Sequence, residues 1–112
     1  MIAIDLGSNT VRVLAYDCKN EKQLFAYEKV VKTADGLTEF GTINDAAVQR
    51  VITALQEAQA KVDFRAHTIK AVTTEAVRRA SNADAVLAQI QKETGVAFEV
   101  ISGEEEARLT LL

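Results

Sequence analysis

The amino-terminal stretch constrains the fold of this chain more than any other segment. Met1 to Leu6 is an apolar run broken only by Asp5 near its end. A short polar stretch, Gly7-Ser8-Asn9-Thr10, follows, and a second apolar run leads from Val11 to Tyr16. Two apolar runs joined by so few polar residues predict a β-hairpin. Gly7 lacks a Cβ, so main-chain N–H groups in such a turn can approach an anion closely. Ser8, Asn9 and Thr10 add side-chain donors. Asp5 stands where a carboxylate can hold a cation or its water shell. On these residues alone, an ordinary polar hairpin turn and a phosphate-binding turn both remain open.

A chain of 112 residues makes one domain with room for a core. With 48% hydrophobic and 26% charged residues it is expected to be globular rather than disordered. A formal net charge of -3 gives no electrostatic footprint for nucleic acid or membrane surfaces. No apolar stretch approaches the roughly 18–20 residues that span a bilayer, and the start has no basic region of the signal-peptide kind. Cys18 is the only cysteine, which excludes an intramolecular disulfide and fits a reducing, cytoplasmic compartment. No His/Cys cluster suggests zinc.

The periodicities predict a βββαβαβα order. Strand 1 is expected over 1–6, strand 2 over 10–17 and strand 3 over 23–31, as an antiparallel meander. A loop with Asp35-Gly36 and Gly41 leads to Asn44, a good N-cap. Val48, Val51, Ile52, Leu55, Ala58 and Val62 then recur on one helical face. His67 falls in the next loop and reads as a surface residue. Strand 4 is expected over 68–73. Asn82 is expected to cap a second helix with Val86, Leu87 and Ile90 on one face, closed by Gly95. Strand 5 is expected over 96–101. Ser102 and Glu105 then form a capping box for a last helix that starts near Gly103. The expected architecture is a mixed five-stranded α/β sheet of order 3-2-1-4-5, with strand 2 antiparallel to both neighbours.

Polar segments follow strands 1, 4 and 5. In open α/β sheets ligands gather at the carboxyl ends of parallel strands. If these three strands are parallel, the hairpin turn, Arg78 and Glu106 converge on one edge. The turn then offers donors to phosphate oxygens, Arg78 a planar cation, and Glu106 a base for water. Phosphoryl transfer asks for little beyond positioning and charge stabilisation, usually with a metal ion. Each element has a plainer reading. Arg78 and Arg79 also suit a solvated helix end, and Glu104-Glu105-Glu106 suits any helix N-terminus.

Three blocks, in order, resemble the N-terminal domain of the exopolyphosphatase/guanosine pentaphosphate phosphohydrolase (Ppx/GppA) family. They are Ile4-Asp5-Leu6-Gly7-Ser8-Asn9-Thr10, Thr74-Glu75-Ala76-Val77-Arg78-Arg79-Ala80-Ser81-Asn82, and Val100-Ile101-Ser102-Gly103-Glu104-Glu105-Glu106-Ala107-Arg108-Leu109. The resemblance implies a ribonuclease-H-like domain of the actin-like ATPase superfamily. It implies removal of terminal phosphate from inorganic polyphosphate, or of the 5′-phosphate from guanosine pentaphosphate. Mg²⁺ or another divalent cation is implied as cofactor. Asp5 would lie near the metal, Gly7, Ser8, Asn9, Thr10 and Arg78 would bind substrate phosphate, and Glu106 would be the catalytic base. Glu104 and Glu105 would serve the helix start.

The chain departs from the family pattern twice. Lys32 stands where the family often has Arg before a glycine-containing loop; it keeps the charge and loses the planar fork. No second glycine-rich phosphate loop is present. The chain is therefore expected to be a truncated N-terminal domain, whose partner is the missing C-terminal domain, and to be inactive alone. Homodimerisation of the full-length protein remains open. Two further readings stand beside hydrolysis: a kinase-like nucleotide-binding relative, and a non-catalytic binding module of the same fold. Glu106 in its Glu-Ala-Arg context favours hydrolysis over phosphotransfer.

Overall fold

A computed structural model of the chain describes residues 1–17, 19–20, 22–33, 41–74, 77 and 79–101, without the side chains of Thr74 and Ile101. Cys18, the Asp35-Gly36-Leu37 stretch, Arg78, the capping box at Ser102, Glu106 and the expected last helix lie outside the described residues.

Five strands form one sheet in the order β3-β2-β1-β4-β5. They are β1 (Ile2–Leu6), β2 (Thr10–Asp17), β3 (Lys22–Val30), β4 (Ile69–Thr74) and β5 (Glu99–Ile101). β2 runs antiparallel to β1 and β3, while β1, β4 and β5 are mutually parallel. The order and directions are those expected from the sequence.

Alternation explains which sheet face is covered. Ile2, Ile4 and Leu6 of β1 and Val11, Val13 and Ala15 of β2 are buried, while the intervening positions are more exposed. The buried set meets two helices, α1 (Asp45–Lys61) and α2 (Ala83–Thr94). α1 contributes Val48, Val51, Ile52, Leu55 and Ala58, as its three- and four-residue steps predict, and Ala47 besides, whereas Val62 falls just past the helix as its extended, half-buried C-cap. Each large side chain buried this way contributes about 1.5–3 kcal/mol.

The helix ends are set by local chemistry. Asn44 accepts from the Ala47 N–H at 2.7 Å, as an N-cap should. α2 stops at Gly95, whose φ of 76° lies in the left-handed region where a side chain is strained. β3 is tied to the outer side of α1 by Glu57, which accepts from Tyr27 Oη and from Lys29 Nζ. Tyr27 is pushed up to about 12, chiefly by burial and then by Glu57.

Three local expectations differ from the structure. Asn82 occupies the N-cap position of α2, but its side chain makes no cap bond. Its amide is engaged elsewhere, as described below. β5 begins at Glu99 rather than Val96, and Val96 N–H donates to Thr94 Oγ1 at 3.2 Å instead of to a neighbouring strand. A 3₁₀ turn at Phe64–Ala66 lies between α1 and β4, with the Asp63 side chain accepting from Arg65 N.

Leu55 is fully buried on α1. Leu55→Ala should cost about 2–5 kcal/mol in urea unfolding. Tyr27→Phe, which removes one partly exposed hydrogen bond, should cost about 0.5–1.5 kcal/mol. Equal losses for the two variants would contradict this placement of the core.

Candidate functional site

The parallel strands bring three chain segments to one edge. Leu6, the last residue of β1, is in register with Thr73 of β4, and Thr74 is in register with Ile101 of β5. The buried Thr73 hydroxyl donates to the Leu6 carbonyl at 2.8 Å. This bond satisfies a polar group with no access to water and pins the end of β4 to the end of β1. The 7–10 turn therefore opens beside the carboxyl end of β4. Arg78 and Glu106 lie outside the described residues; in the sequence they stand four residues after Thr74, the end of β4, and five after Ile101, the end of β5.

The turn is tight and held from two sides. Gly7 N–H donates to the Thr10 carbonyl at 2.9 Å. A Cβ on Gly7 would meet only that carbonyl, at an ordinary 3.6 Å, so packing does not demand glycine there. The Asn9 carbonyl accepts from both Val31 N–H, at 2.8 Å, and Lys32 N–H, at 2.9 Å. Ser8 and Asn9 are exposed at the tip, and Thr10 is half-buried where β2 begins. Lys32 has a φ of 51°, a left-handed conformation that costs a residue with a Cβ roughly 1–2 kcal/mol. Its side chain is exposed.

Asp5 occupies a row that crosses the sheet on the face opposite Ile4 and Leu6. In that row Asp5 pairs with Val72 of β4 and Arg12 of β2, and Arg12 pairs with Glu28 of β3. Arg12 reaches Glu28 at 3.1 Å. Asp5 Oδ1 is buried and has no hydrogen-bond partner among the described residues. Burial pushes the Asp5 carboxyl above its ordinary value, and Arg12 offsets part of that. An orphaned, desolvated carboxylate oxygen suits a cation or a cation-bound water. Among the described residues there is no group of three or more His, Cys, Asp or Glu able to hold a metal ion. Asp5 therefore fits as a single anchor rather than as a cage.

Two polar contacts of this edge carry no signal in the sequence. Asn82 clamps the segment before α1: its Oδ1 accepts from Ile43 N–H and its Nδ2 donates to the Ile43 carbonyl, both at 2.9 Å. Ser81 N–H adds a bond to the Gly41 carbonyl at 2.8 Å. Arg50 of α1 donates through Nε to the Val31 carbonyl at 2.6 Å and through Nη2 to that of Lys32 at 3.3 Å. Asn82 looks like a cap and Arg50 like a flanking charge until the loops around them are placed. His67 and a half-open cavity of about 460 Å³ beside Phe64, Ile69 and Gly95 lie at the other end of the sheet.

The sign of the Asp5 effect is testable. Its folded-state pKa is raised, so the folded chain binds this proton more tightly than the unfolded one. The ionised form then costs stability above the ordinary value of 3.8, and the cost vanishes below it. Asp5→Asn should raise the melting temperature at pH 7, with the gain fading as pH falls to 3. A gain that persists unchanged at pH 3, or a loss at pH 7, would contradict this.

The likeness to known proteins follows the same architecture. Residues 16–112 match the model of the Ppx/GppA phosphatase family. The chain is 33% identical to exopolyphosphatase 1 of Mycobacterium leprae over 97% of its own length and 33% of that protein. It is 36% identical to the guanosine-5'-triphosphate,3'-diphosphate pyrophosphatase of Aliivibrio fischeri, over 96% of the chain and 22% of that protein. The crystal structure of the Aquifex aeolicus Ppx/GppA family member superposes with a TM-score of 0.86 at 32% identity, covering 96% of this chain and 36% of that one. The chain thus spans a third or less of the curated relatives it matches. A family model covering most of the chain, and a family structure that shares its sheet, leave one assignment: the chain belongs to the Ppx/GppA phosphatase family.

Proposed function

We propose that this chain is the N-terminal, phosphate-binding part of a phosphoanhydride hydrolase. Its substrate is inorganic polyphosphate, which loses a terminal phosphate, or guanosine pentaphosphate, which loses its 5′-phosphate. The observation that carries the reading is the shared edge of β1, β4 and β5, where the 7–10 turn opens beside the carboxyl end of β4. The relatives point the same way: one is named an exopolyphosphatase, another a guanosine-5'-triphosphate,3'-diphosphate pyrophosphatase.

In this reading Ser8, Asn9 and Thr10 bind phosphate oxygens around the tight turn that Gly7 closes. Arg78 pairs with a phosphoryl group through its planar fork. Glu106 accepts a proton from water as the water oxygen attacks the terminal phosphorus. The bond from phosphorus to the bridging oxygen breaks, and the shortened chain leaves. A divalent cation such as Mg²⁺ would neutralise charge on the phosphate oxygens, and Asp5 would anchor it or its water. The opposing phosphate loop belongs to a C-terminal domain of the same protein, so residues 1–112 alone should release no phosphate. Turnover of both substrates by the full-length protein tests the reading. Phosphate release from neither would overturn it.

Glu106→Gln keeps shape and hydrogen bonding but removes the base. In the full-length protein kcat should fall by roughly 10²–10⁴, with KM little changed. Near-normal kcat for this variant, with Glu105→Gln crippled instead, would move the base by one residue.

Arg79 is exposed, which suits a residue turned away from the substrate. Arg78→Ala should therefore lower kcat/KM by about ten- to a hundredfold, the worth of a lost charged hydrogen bond. Arg78→Lys should recover only part of this. Arg79→Ala should stay within a few-fold of wild type. A larger effect at Arg79 than at Arg78 would shift the register of this block.

A further inference from the structure

We propose that Arg50 is a positioning residue for the phosphate turn, acting from α1 through the main chain of Val31 and Lys32 on the carbonyl of Asn9. The inference rests on the reading of residues 7–10 as a phosphate-binding turn.

The geometry is a relay of main-chain contacts. Two successive N–H groups, of Val31 and Lys32, converge on the single Asn9 carbonyl at 2.8 and 2.9 Å. Directly after these two N–H groups the chain turns left-handed at Lys32, with a φ of 51°. Lysine has no intrinsic preference for that region, so something outside the residue must hold it there. Arg50 does this from the opposite side. Its Nε and Nη2 donate to the carbonyls of the same two residues, Val31 and Lys32. The Val31–Lys32 peptide unit is thus gripped on both sides, its carbonyl by the guanidinium and its N–H by the Asn9 carbonyl.

The grip matters for the turn because its tip is otherwise open. Ser8 and Asn9 are exposed, while Gly7 and Thr10 are bonded to each other. The direction of the Asn9 carbonyl fixes the Asn9–Thr10 peptide plane, and with it the donors that the turn presents. The planar fork presents Nε and Nη2 in a fixed geometry to two neighbouring carbonyls, which an ammonium on a flexible stem does not reproduce. With an ammonium there, the Val31–Lys32 peptide unit would be free to rotate. The Asn9 carbonyl would then lose one of its two donors.

The test uses the full-length protein with Arg50→Ala and Arg50→Lys, and inorganic tripolyphosphate as the probe. In both variants, hydrogen exchange at the Val31 and Lys32 amides should quicken by about tenfold, the loss of roughly one charge-assisted hydrogen bond. Amides of β1 and of the middle of α1 should stay as protected as in wild type. Tripolyphosphate should bind about tenfold more weakly to each variant, and KM should rise with kcat within a few-fold. Ethylguanidinium should restore binding to Arg50→Ala but leave Arg50→Lys unchanged. Unaltered exchange at Val31 and Lys32 overturns the inference, and so does faster exchange with unaltered tripolyphosphate binding. Loss of protection throughout the sheet in both variants also overturns it, since Arg50 would then support the fold as a whole. If wild-type protein binds no tripolyphosphate, the reading of the turn as a phosphate site is what fails. Exchange at the two amides then decides alone whether Arg50 sets the turn.

Discussion

β1 is bonded on both sides, antiparallel to β2 and parallel to β4, and that double pairing decides where everything else can go. The antiparallel partner requires a turn at the carboxyl end of β1. The parallel partner requires that β4 end at the same edge, and β5 follows β4 in the same sense. One register then suffices to bring three chain segments together, and the Thr73–Leu6 bond holds that register at its end. A slip of one residue would exchange the faces of Ile2, Ile4 and Leu6 with those of Ala3 and Asp5. The core would lose three large side chains, and the carboxylate of Asp5 would be driven beneath α1. Burial of the aliphatic face and placement of Asp5 are thus one constraint.

The cross-sheet row of Val72, Asp5, Arg12 and Glu28 shows how a charge is kept half-buried at such a place. Arg12 lies between two carboxylates and makes its ion pair with Glu28, which is about half exposed. Among the described residues Asp5 receives the Coulombic attraction of that guanidinium, too little to offset its desolvation. The result is a carboxylate less comfortable than its neighbours, with one oxygen lacking a donor. A half-buried carboxylate with an open oxygen is in keeping with the cation role proposed for Asp5.

The sheet was legible in the sequence because its signals are strong and local. Alternating apolar residues gave β1 and β2, Asn44 gave the start of α1, and Gly95 gave the end of α2. The hairpin turn, Asp5 and the strand-end segments were also visible, since each couples a polar cluster to the end of an apolar run. Arg78 and Glu106 were readable only as members of motifs, and they lie outside the described residues. What the sequence concealed was of another kind. Thr73, Asn82 and Arg50 act on carbonyls and amides of residues far away in the chain: Leu6, Ile43, Val31 and Lys32. A side chain bonded to distant main chain has no periodicity and no fixed spacing. Asn82 even imitates the signal of a cap, because Asn before a helix is favoured whether or not its amide turns back to the helix.

Those concealed contacts share a physical logic. The edge that carries the turn consists of chain segments leaving regular structure, so its main-chain groups have no ladder to satisfy them. Several are instead bonded by a side chain fixed on a rigid element or at its start: Thr73 on β4, Asn82 at the start of α2, Arg50 on α1. Amide and guanidinium groups suit this task because each presents donors or a donor–acceptor pair in one plane, as a neighbouring strand would. Asn82 does so literally, donating to and accepting from the same residue, Ile43, in the manner of a one-residue bridge. The loops therefore inherit the positions of the helices without becoming part of the sheet. The carbonyls of Leu6, Val31, Lys32 and Ile43 are thereby occupied within the fold, and the exposed side chains of Ser8 and Asn9 stand at the tip of the turn.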